Sequence, residues 1–334
     1  MWNRAAVICG LGAWVPPRAV SNAELAERLD TSDEWIRSRT GIANRHVVEP
    51  GMATSDLAVE AGARALKSAE GPPPGAVVLA TTTPDRPCPG TAPEVATRLG
   101  LDHVAAFDVS AVCTGFLYGL ATGAGLIASG QVDRVLVIGA EAFSTILNPE
   151  DRTTSVIFGD GAGAVVLRAG RPDEPGALLG VDLGSDGSGA DLITVRAGGS
   201  RQRSATAVPA PEDSYFSMEG KAVFMNAVLR MTASSRSVLD RVGWTVPDVD
   251  RLVGHQANLR ILHAVADQLK LPRERAVVNL DRVANTAGAS IPLALADAAA
   301  DGTLQPGQRV LATAFGGGFT WGSAALVWPE LRLV

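Results

Sequence analysis

The sequence predicts an α/β protein layered from two similar halves, and two observations carry that prediction. Apolar, strand-like runs alternate with helical stretches: Ala76–Ala80, Arg134–Gly139 and Gly163–Leu167 early, Arg309–Thr313 and Ala324–Trp328 late. Such alternation gives strands buried between helices. The chain also repeats itself: Cys113 stands 17 residues before Gly130, and Asn285 stands 17 before Gly302. Each glycine closes an Ala/Gly/Leu-rich helical stretch. Each is followed by a matching strand and loop, Arg134-Val-Leu-Val-Ile-Gly-Ala-Glu-Ala-Phe-Ser-Thr and Arg309-Val-Leu-Ala-Thr-Ala-Phe-Gly-Gly-Gly-Phe-Thr. The repeat makes Asn285 the counterpart of Cys113, near the N-termini of two equivalent helices. Its junction falls in the Pro/Gly-rich stretch Arg168–Gly176, dividing the chain into halves 1–172 and 173–334.

Individual segments follow from the same patterns. Met1–Gly10 reads as a first strand, lacking the basic start, apolar core and cleavage site of a secretory signal. Gly115, Gly119 and Gly123 recur every fourth residue along the Cys113 helix, a bare stripe that would let a neighbouring helix approach closely. Ala197–Pro211, rich in Gly, Ser, Arg and Pro, reads as a surface loop.

Bulk composition excludes several classes. With 334 residues the chain is long enough for two domains or one two-part domain. No apolar run reaches the roughly 18 residues of a membrane span. A net charge of −6 argues against general nucleic-acid binding. Three well-separated cysteines, Cys9, Cys88 and Cys113, do not form a disulfide framework, and the expected compartment is a reducing cytoplasm. The four histidines form no metal-ligand spacing with the cysteines. Two Gly-rich stretches, at Gly10 and Phe158, lack the order of a dinucleotide loop: one runs into Pro16 and Pro17, the other into a strand.

Three residues could carry chemistry. Cys113 follows a strand-like segment ending near Asp108 and sits where a small-residue helix starts. Unpaired N–H groups and the positive end of the helix dipole favour a thiolate there; the other reading is a small buried packing residue. His255 stands where the apolar run Leu252-Val-Gly stops, able to face a cleft as acid, base or donor, or to be structural. Asn285 is either a donor or a helix cap. Gly316, Gly317 and Gly318 follow a strand, and glycines there either let backbone N–H groups approach an oxyanion or make a tight turn. A Cys, a His and an Asn in this order also fit a cysteine hydrolase by residue type, but the contexts of the papain kind differ.

Taken together, the motifs Thr31-Ser-Asp-Glu-Trp-Ile, Arg39-Thr-Gly-Ile, the Cys113 run, Phe158-Gly-Asp-Gly-Ala-Gly-Ala, His255-Gln-Ala-Asn-Leu-Arg, Asn285-Thr and Phe315-Gly-Gly-Gly-Phe-Thr-Trp-Gly-Ser resemble β-ketoacyl-acyl-carrier-protein synthase III, of the thiolase-fold condensing enzymes, over nearly the full length. The resemblance implies a five-layered α/β/α/β/α fold from two duplicated halves, and a homodimer. It implies that Cys113 takes an acyl group from acyl-CoA. The backbone N–H groups of Cys113 and Gly317 would form the oxyanion hole, and His255 and Asn285 would stabilise the enolate formed as malonyl-ACP loses carbon dioxide. By the same resemblance Trp35, Arg39, Arg152 and Asn258 would bind CoA, Phe224 and Cys88 would border acyl pockets, and Arg260 would meet an acidic carrier protein. No cofactor, metal, nucleic acid or membrane enters this scheme.

The chain departs from the family pattern at Val283-Ala284, at Ala287-Gly288 and at Cys88. A small residue at Cys88, where the family often closes the partner's pocket, would admit a longer or branched primer. Rival expectations are a same-fold acyltransferase acting on a hydroxyl or amine without decarboxylation, and a non-catalytic polyketide partner subunit, which should have lost Cys113 or His255. A thiolase would need a second cysteine in the glycine loop, which reads Ala314-Phe-Gly-Gly-Gly. The starter acyl group and the choice between fatty-acid and polyketide synthesis stay open at this level.

Overall fold

A computed structural model describes residues 4–334. The strand expected from Met1 runs Ala5–Trp14, and residues 1–3 lie outside the described residues. The first half holds β1 (Ala5–Trp14), β2 (Ala19–Ser21), α1 (Asn22–Ala26), α2 (Asp33–Thr40), β3 (Asn44–His46), α3 (Thr54–Ala69), β4 (Ala76–Ala80), α4 (Ala92–Arg98), β5 (Ala105–Val109), α5 (Gly115–Ala128), β6 (Arg134–Glu141) and β7 (Gly161–Gly170). The second holds β8 (Leu178–Ser185), β9 (Ile193–Val195), α6 (Ser200–Arg203), β10 (Phe216–Met218), α7 (Gly220–Val242), β11 (Arg251–Gly254), α8 (Leu259–Leu269), α9 (Leu280–Val283), α10 (Ser290–Ala300), β12 (Arg309–Gly316) and β13 (Thr320–Val327).

Two sheets with the same wiring form the frame. One is ordered β1-β7-β6-β4-β5 and the other β8-β13-β12-β11. In each, the second strand runs antiparallel to both neighbours and the third and fourth are parallel. A lone parallel bridge from Leu252 to Ala276 stands where the second sheet's fifth strand would be. Strand alternation assigns side chains to layers. On β6, Val135 and Val137 join the core between the sheets with Leu117, Leu120, Ile291 and Leu295 of α5 and α10. Leu136 and Ile138 point the other way, onto Leu57 and Ala61 of α3. On β12, Val310 and Ala312 face the shared core while Leu311 packs outward with Val238 of α7 and Val265 of α8. Helices α5 and α10 are therefore the middle layer of a five-layered thiolase fold, as the sequence motifs imply.

Two details of the repeat differ from expectation. The glycine stripe of α5 meets strands rather than a helix: a side chain at Gly115, Gly119 or Gly123 would strike Ala80 of β4, Val137 of β6 or Leu167 of β7, at 3.0, 2.9 and 3.0 Å. The structural counterpart of Cys113 is Gly288, not Asn285. Each central helix is preceded by a 3-10 turn, Val112–Thr114 and Ala287–Ala289, whose first residue is left-handed (Val112 φ 49°, Ala287 φ 43°). The 17-residue match arises because α10 has 11 residues where α5 has 14, a difference that compensates for Asn285 standing three residues ahead of Gly288.

The turns are exchanged between halves. The Cys113 turn lies on the end of β12, where a Cβ on Gly316 would fall 2.8 Å from the Cys113 nitrogen. The Gly288 turn lies on the end of β6, where a Cβ on Gly139 would fall 2.4 Å from the Gly288 oxygen. Both contacts are backbone against backbone, so no rotamer change relieves them. Gly139→Ala is expected to destabilise the chain by about 1–3 kcal/mol, read as a lower denaturant midpoint with an unchanged slope. An unchanged midpoint would show that the halves have room to separate.

Candidate active site

Cys113, His255 and Asn285 come from different elements and line one narrow cavity of about 40 Å³. Cys113 lies in the turn ahead of α5, His255 directly after β11, and Asn285 in the loop between α9 and α10. A stacked aromatic trio flanks the thiol: Phe143 and Phe158 lie 4.2 Å apart, and Phe216 meets each edge-on at 5.1 Å. Val223, Ala227 and Met231 of α7 line the cavity on another side, and Gly316 closes it near Cys113.

Each polar residue is held by one atom and keeps another for the cavity. The Asn285 backbone donates to Ile157 (3.0 Å), and its Oδ1 accepts the N–H of Ala287 (2.9 Å). Only an oxygen can accept there, which fixes the amide's orientation and leaves the Nδ2 protons unused by that bond. The oxygen end of the amide is thus bound within the loop ahead of α10, where Thr286 and Ala289, not Asn285, occupy the cap positions. Nδ1 of His255 lies 2.6 Å from the Ser290 hydroxyl at the start of α10, and that oxygen also takes the Gln256 N–H at 3.4 Å. A Ser290 hydroxyl that donates to Nδ1 goes with the tautomer carrying the ring proton on Nε2, and one that accepts from Nδ1 goes with the other. Burial lowers the His255 pKa to about 3, so the ring is neutral near pH 7.

The electrostatics of Cys113 differ from the sequence expectation. Burial first, and the Glu141 carboxylate second, push the thiol's pKa up, against a smaller lowering by its own backbone N–H. The resting group is a thiol, because desolvation outweighs the helix terminus. Glu141, at the end of β6, is the residue that sequence reasoning missed. It is fully buried and accepts from the Thr82 N–H (3.0 Å), the Thr82 and Thr83 hydroxyls (3.1 and 3.0 Å) and the Gly288 N–H (3.3 Å). Burial lifts its pKa to about 7. Its signal was a lone acid closing an apolar strand at the repeat position of Gly316. Ser290 was missed as well, since a serine at a helix start reads as ordinary.

The remaining expected residues distribute as follows. Arg152 lies 5.9 Å from the half-exposed Trp35 ring and pairs with Asp30 at 2.9 Å. Two stacking contacts of roughly 3.5–4 Å each do not fit in that gap, so an intervening adenine needs Arg152 to swing out. Asn258 donates to the Arg39 carbonyl (3.0 Å) and caps α8 through the Arg260 N–H (2.9 Å), and it does not line the cavity. Phe224 also lies outside the cavity lining, under Arg260, whose guanidinium is 5.8 Å from the ring. Cys88 is exposed and does not reach the cavity of its own chain. Gly316 lines the cavity and Gly317 follows it, where a Cβ would fall against Ile193 and Val112.

The fold defines a class, the thiolase-fold transferases. Models of 3-oxoacyl-[acyl-carrier-protein] synthase III match residues 107–187, and those of its C-terminal part match 239–328. β-Ketoacyl-[acyl-carrier-protein] synthase III 3 of Streptomyces coelicolor is 66% identical over 331 residues, spanning 98% of this chain and 99% of its own. The crystal structure of 3-oxoacyl-(acyl carrier protein) synthase III from Pseudomonas aeruginosa PAO1 superposes with a TM-score of 0.92 at 52% identity, covering 98% and 100% of the two chains. The priming β-ketosynthase of the R1128 polyketide pathway superposes at 0.88 with 34% identity, covering 98% and 97%. The chain belongs to the 3-oxoacyl-[acyl-carrier-protein] synthase III family.

Glu141→Gln removes the charge beside the thiol and is expected to make Cys113 alkylate faster with iodoacetamide at fixed pH, the alkylation profile moving to lower pH. An unchanged profile would mean that Glu141 does not act on Cys113.

Proposed function

We propose that the chain condenses an acyl-CoA primer with malonyl-ACP, with loss of carbon dioxide, to give β-ketoacyl-ACP. The observation that carries this reading is the pair of side chains, His255 and Asn285, each anchored by one polar atom beside the cavity that holds Cys113, with the Nε2 tautomer of His255 proposed so that both turn an N–H to it. Two converging donors suit a developing enolate oxygen, where they strengthen as charge forms.

In the proposed sequence the Cys113 sulfur attacks the acyl-CoA thioester, CoA leaves as its thiol with the proton, and the acyl group stays on sulfur. The N–H groups of Cys113 and Gly317 receive the oxyanion. Malonyl-ACP then loses carbon dioxide; its thioester oxygen becomes an enolate held by His255 and Asn285, and the α-carbon attacks the acyl thioester. The Cys113 thiolate leaves and takes a proton from solvent. These steps balance without a cofactor. Trp35, Arg39 and Arg152 are proposed to hold CoA, Asn258 to support Arg39 from behind, and Arg260 to meet the carrier.

Further proposals rest on the frame. The halves are taken to meet at residues 172 and 173, between β7 of one sheet and β8 of the other. A homodimer is supported by β5, which pairs only with β4 and leaves an edge with Ala105 and Phe107 exposed, the kind of edge that recruits a second copy. Across such an interface Cys88 would border the partner's acyl pocket. Among the described residues no helix is long and apolar enough to cross a membrane, and a cytoplasmic location is proposed. Fatty-acid and polyketide initiation are both compatible with this chemistry.

Intact-mass measurement with a panel of acyl-CoAs tests the reading. An acyl adduct absent in Cys113→Ala, chased by malonyl-ACP to β-ketoacyl-ACP and carbon dioxide, is expected. An adduct that only hydrolyses, or that moves to a small alcohol or amine, would replace condensation by the rival acyl transfer. Asn285→Asp places a carboxylate against the enolate and is expected to cut condensation by about 100-fold or more while the acyl adduct still forms. Because His255 stays neutral to about pH 3, condensation from preformed acyl-enzyme should show no titration near pH 6.5. Ser290→Ala should slow that step by about tenfold without changing the adduct, and equal loss in both steps would assign Ser290 a purely structural role.

A further inference from the structure

The Cys113 turn and the glycine loop come from different halves, and a pair of hydroxyls joins them. Thr114 closes the turn and is fully buried, while the half-buried Thr320 opens β13, across the hairpin from Gly316. Their Oγ1 atoms lie 2.5 Å apart. Thr114 Oγ1 is also 2.6 Å from the Ala111 carbonyl oxygen. Thr320 Oγ1 is 3.0 Å from that same oxygen and 3.1 Å from the Gly317 carbonyl oxygen. Among the described residues these are the only hydrogen bonds between residues 111–114 and 316–320.

Two hydroxyl protons are shared among these oxygens. At 2.5 Å one hydroxyl donates to the other. The Ala111 carbonyl already takes the Thr114 N–H at 3.1 Å. The Gly317 carbonyl is buried, and Thr320 is its one donor among the described residues; a buried carbonyl left bare is costly. The arrangement assigned from these partners runs from Thr114 to Thr320 to Gly317. It fixes a peptide that has little else to fix it. Gly316 is pressed on Cys113, where a Cβ would fall 2.8 Å from the Cys113 nitrogen. Gly317 follows with no side chain to limit its rotation, and its N–H meets no acceptor among the described residues. We infer that Thr320, with Thr114 behind it, is a positioning residue that holds the Gly317 N–H in line with the Cys113 N–H on the thioester oxygen. The inference rests on the proposed acylation of Cys113.

The test compares two reactions of the same sulfur. Acyl transfer from acyl-CoA builds an oxyanion, whereas alkylation by iodoacetamide displaces iodide and builds none. Thr320→Val keeps the shape and removes the hydroxyl. Its single-turnover acylation is expected to fall by about 10- to 100-fold, while alkylation keeps its wild-type rate. Thr320→Ser, which retains the hydroxyl, should acylate at close to the wild-type rate. The double variant Thr114→Val with Thr320→Val is expected to lose no more than Thr320→Val alone. Wild-type acylation in Thr320→Val overturns the inference. So does a parallel loss of alkylation, a serine variant as slow as the valine one, or losses that add in the double variant. If the wild-type chain takes no acyl group from any CoA thioester, the proposed function fails by itself. Acylation by p-nitrophenyl acetate, which also passes through an oxyanion, then decides the hydroxyl pair by the same comparison.

Discussion

The close approach of two backbones, Cys113 on Gly316 and Gly288 on Gly139, is the constraint on which the rest of the structure depends. Each 3-10 turn starts with a left-handed non-glycine residue, Val112 or Ala287, a conformation that a chain holds only where its surroundings over-determine it. Here the surroundings are the other half's strand end, which has no Cβ to intrude. The position of Cys113 is therefore set by the packing of two layers rather than by a loop. The same packing buries the thiol, and with the Glu141 charge nearby it raises the energy of a thiolate.

Around that fixed point the polar residues follow a common plan. A buried amide or imidazole needs a partner for each polar atom it presents. Asn285 and His255 satisfy one atom each inside the protein, with Ala287 and Ser290, and both line the cavity with the rest of the side chain. A ligand that accepts both hydrogen bonds completes the site, and one that cannot leaves two buried donors unmatched.

Much of this was legible in the sequence, and the reasons are specific. Strands such as Ala76–Ala80 announce themselves by being wholly apolar, and His255 by ending one. Cys113 is marked by its place between a strand and a helix. What escaped depends on three-dimensional registration. The 17-residue spacing paired Cys113 with Asn285 because a shorter helix and an earlier residue cancel in the count; only the positive φ of Val112 and Ala287 exposes Gly288 as the counterpart. The stripe on α5 shows that something comes close, but not whether it is a helix or a sheet. Asn258 and Phe224 sit in family motifs, yet their side chains are turned to the Arg39 carbonyl and to Arg260. The acidity of the thiol could not be read from a helix terminus alone, because burial and Glu141 are tertiary facts.

Gly288 and Glu141 give the duplication an unequal outcome. The second turn has the geometry of the first, but it has no side chain at the place of Cys113, and the Gly288 N–H is bonded to the Glu141 carboxylate from the other half. The carboxylate thus fills the space in front of the second turn. Of two equivalent turns only the first carries a thiol, and the second, pressed on Gly139, holds the same two layers together from the other side.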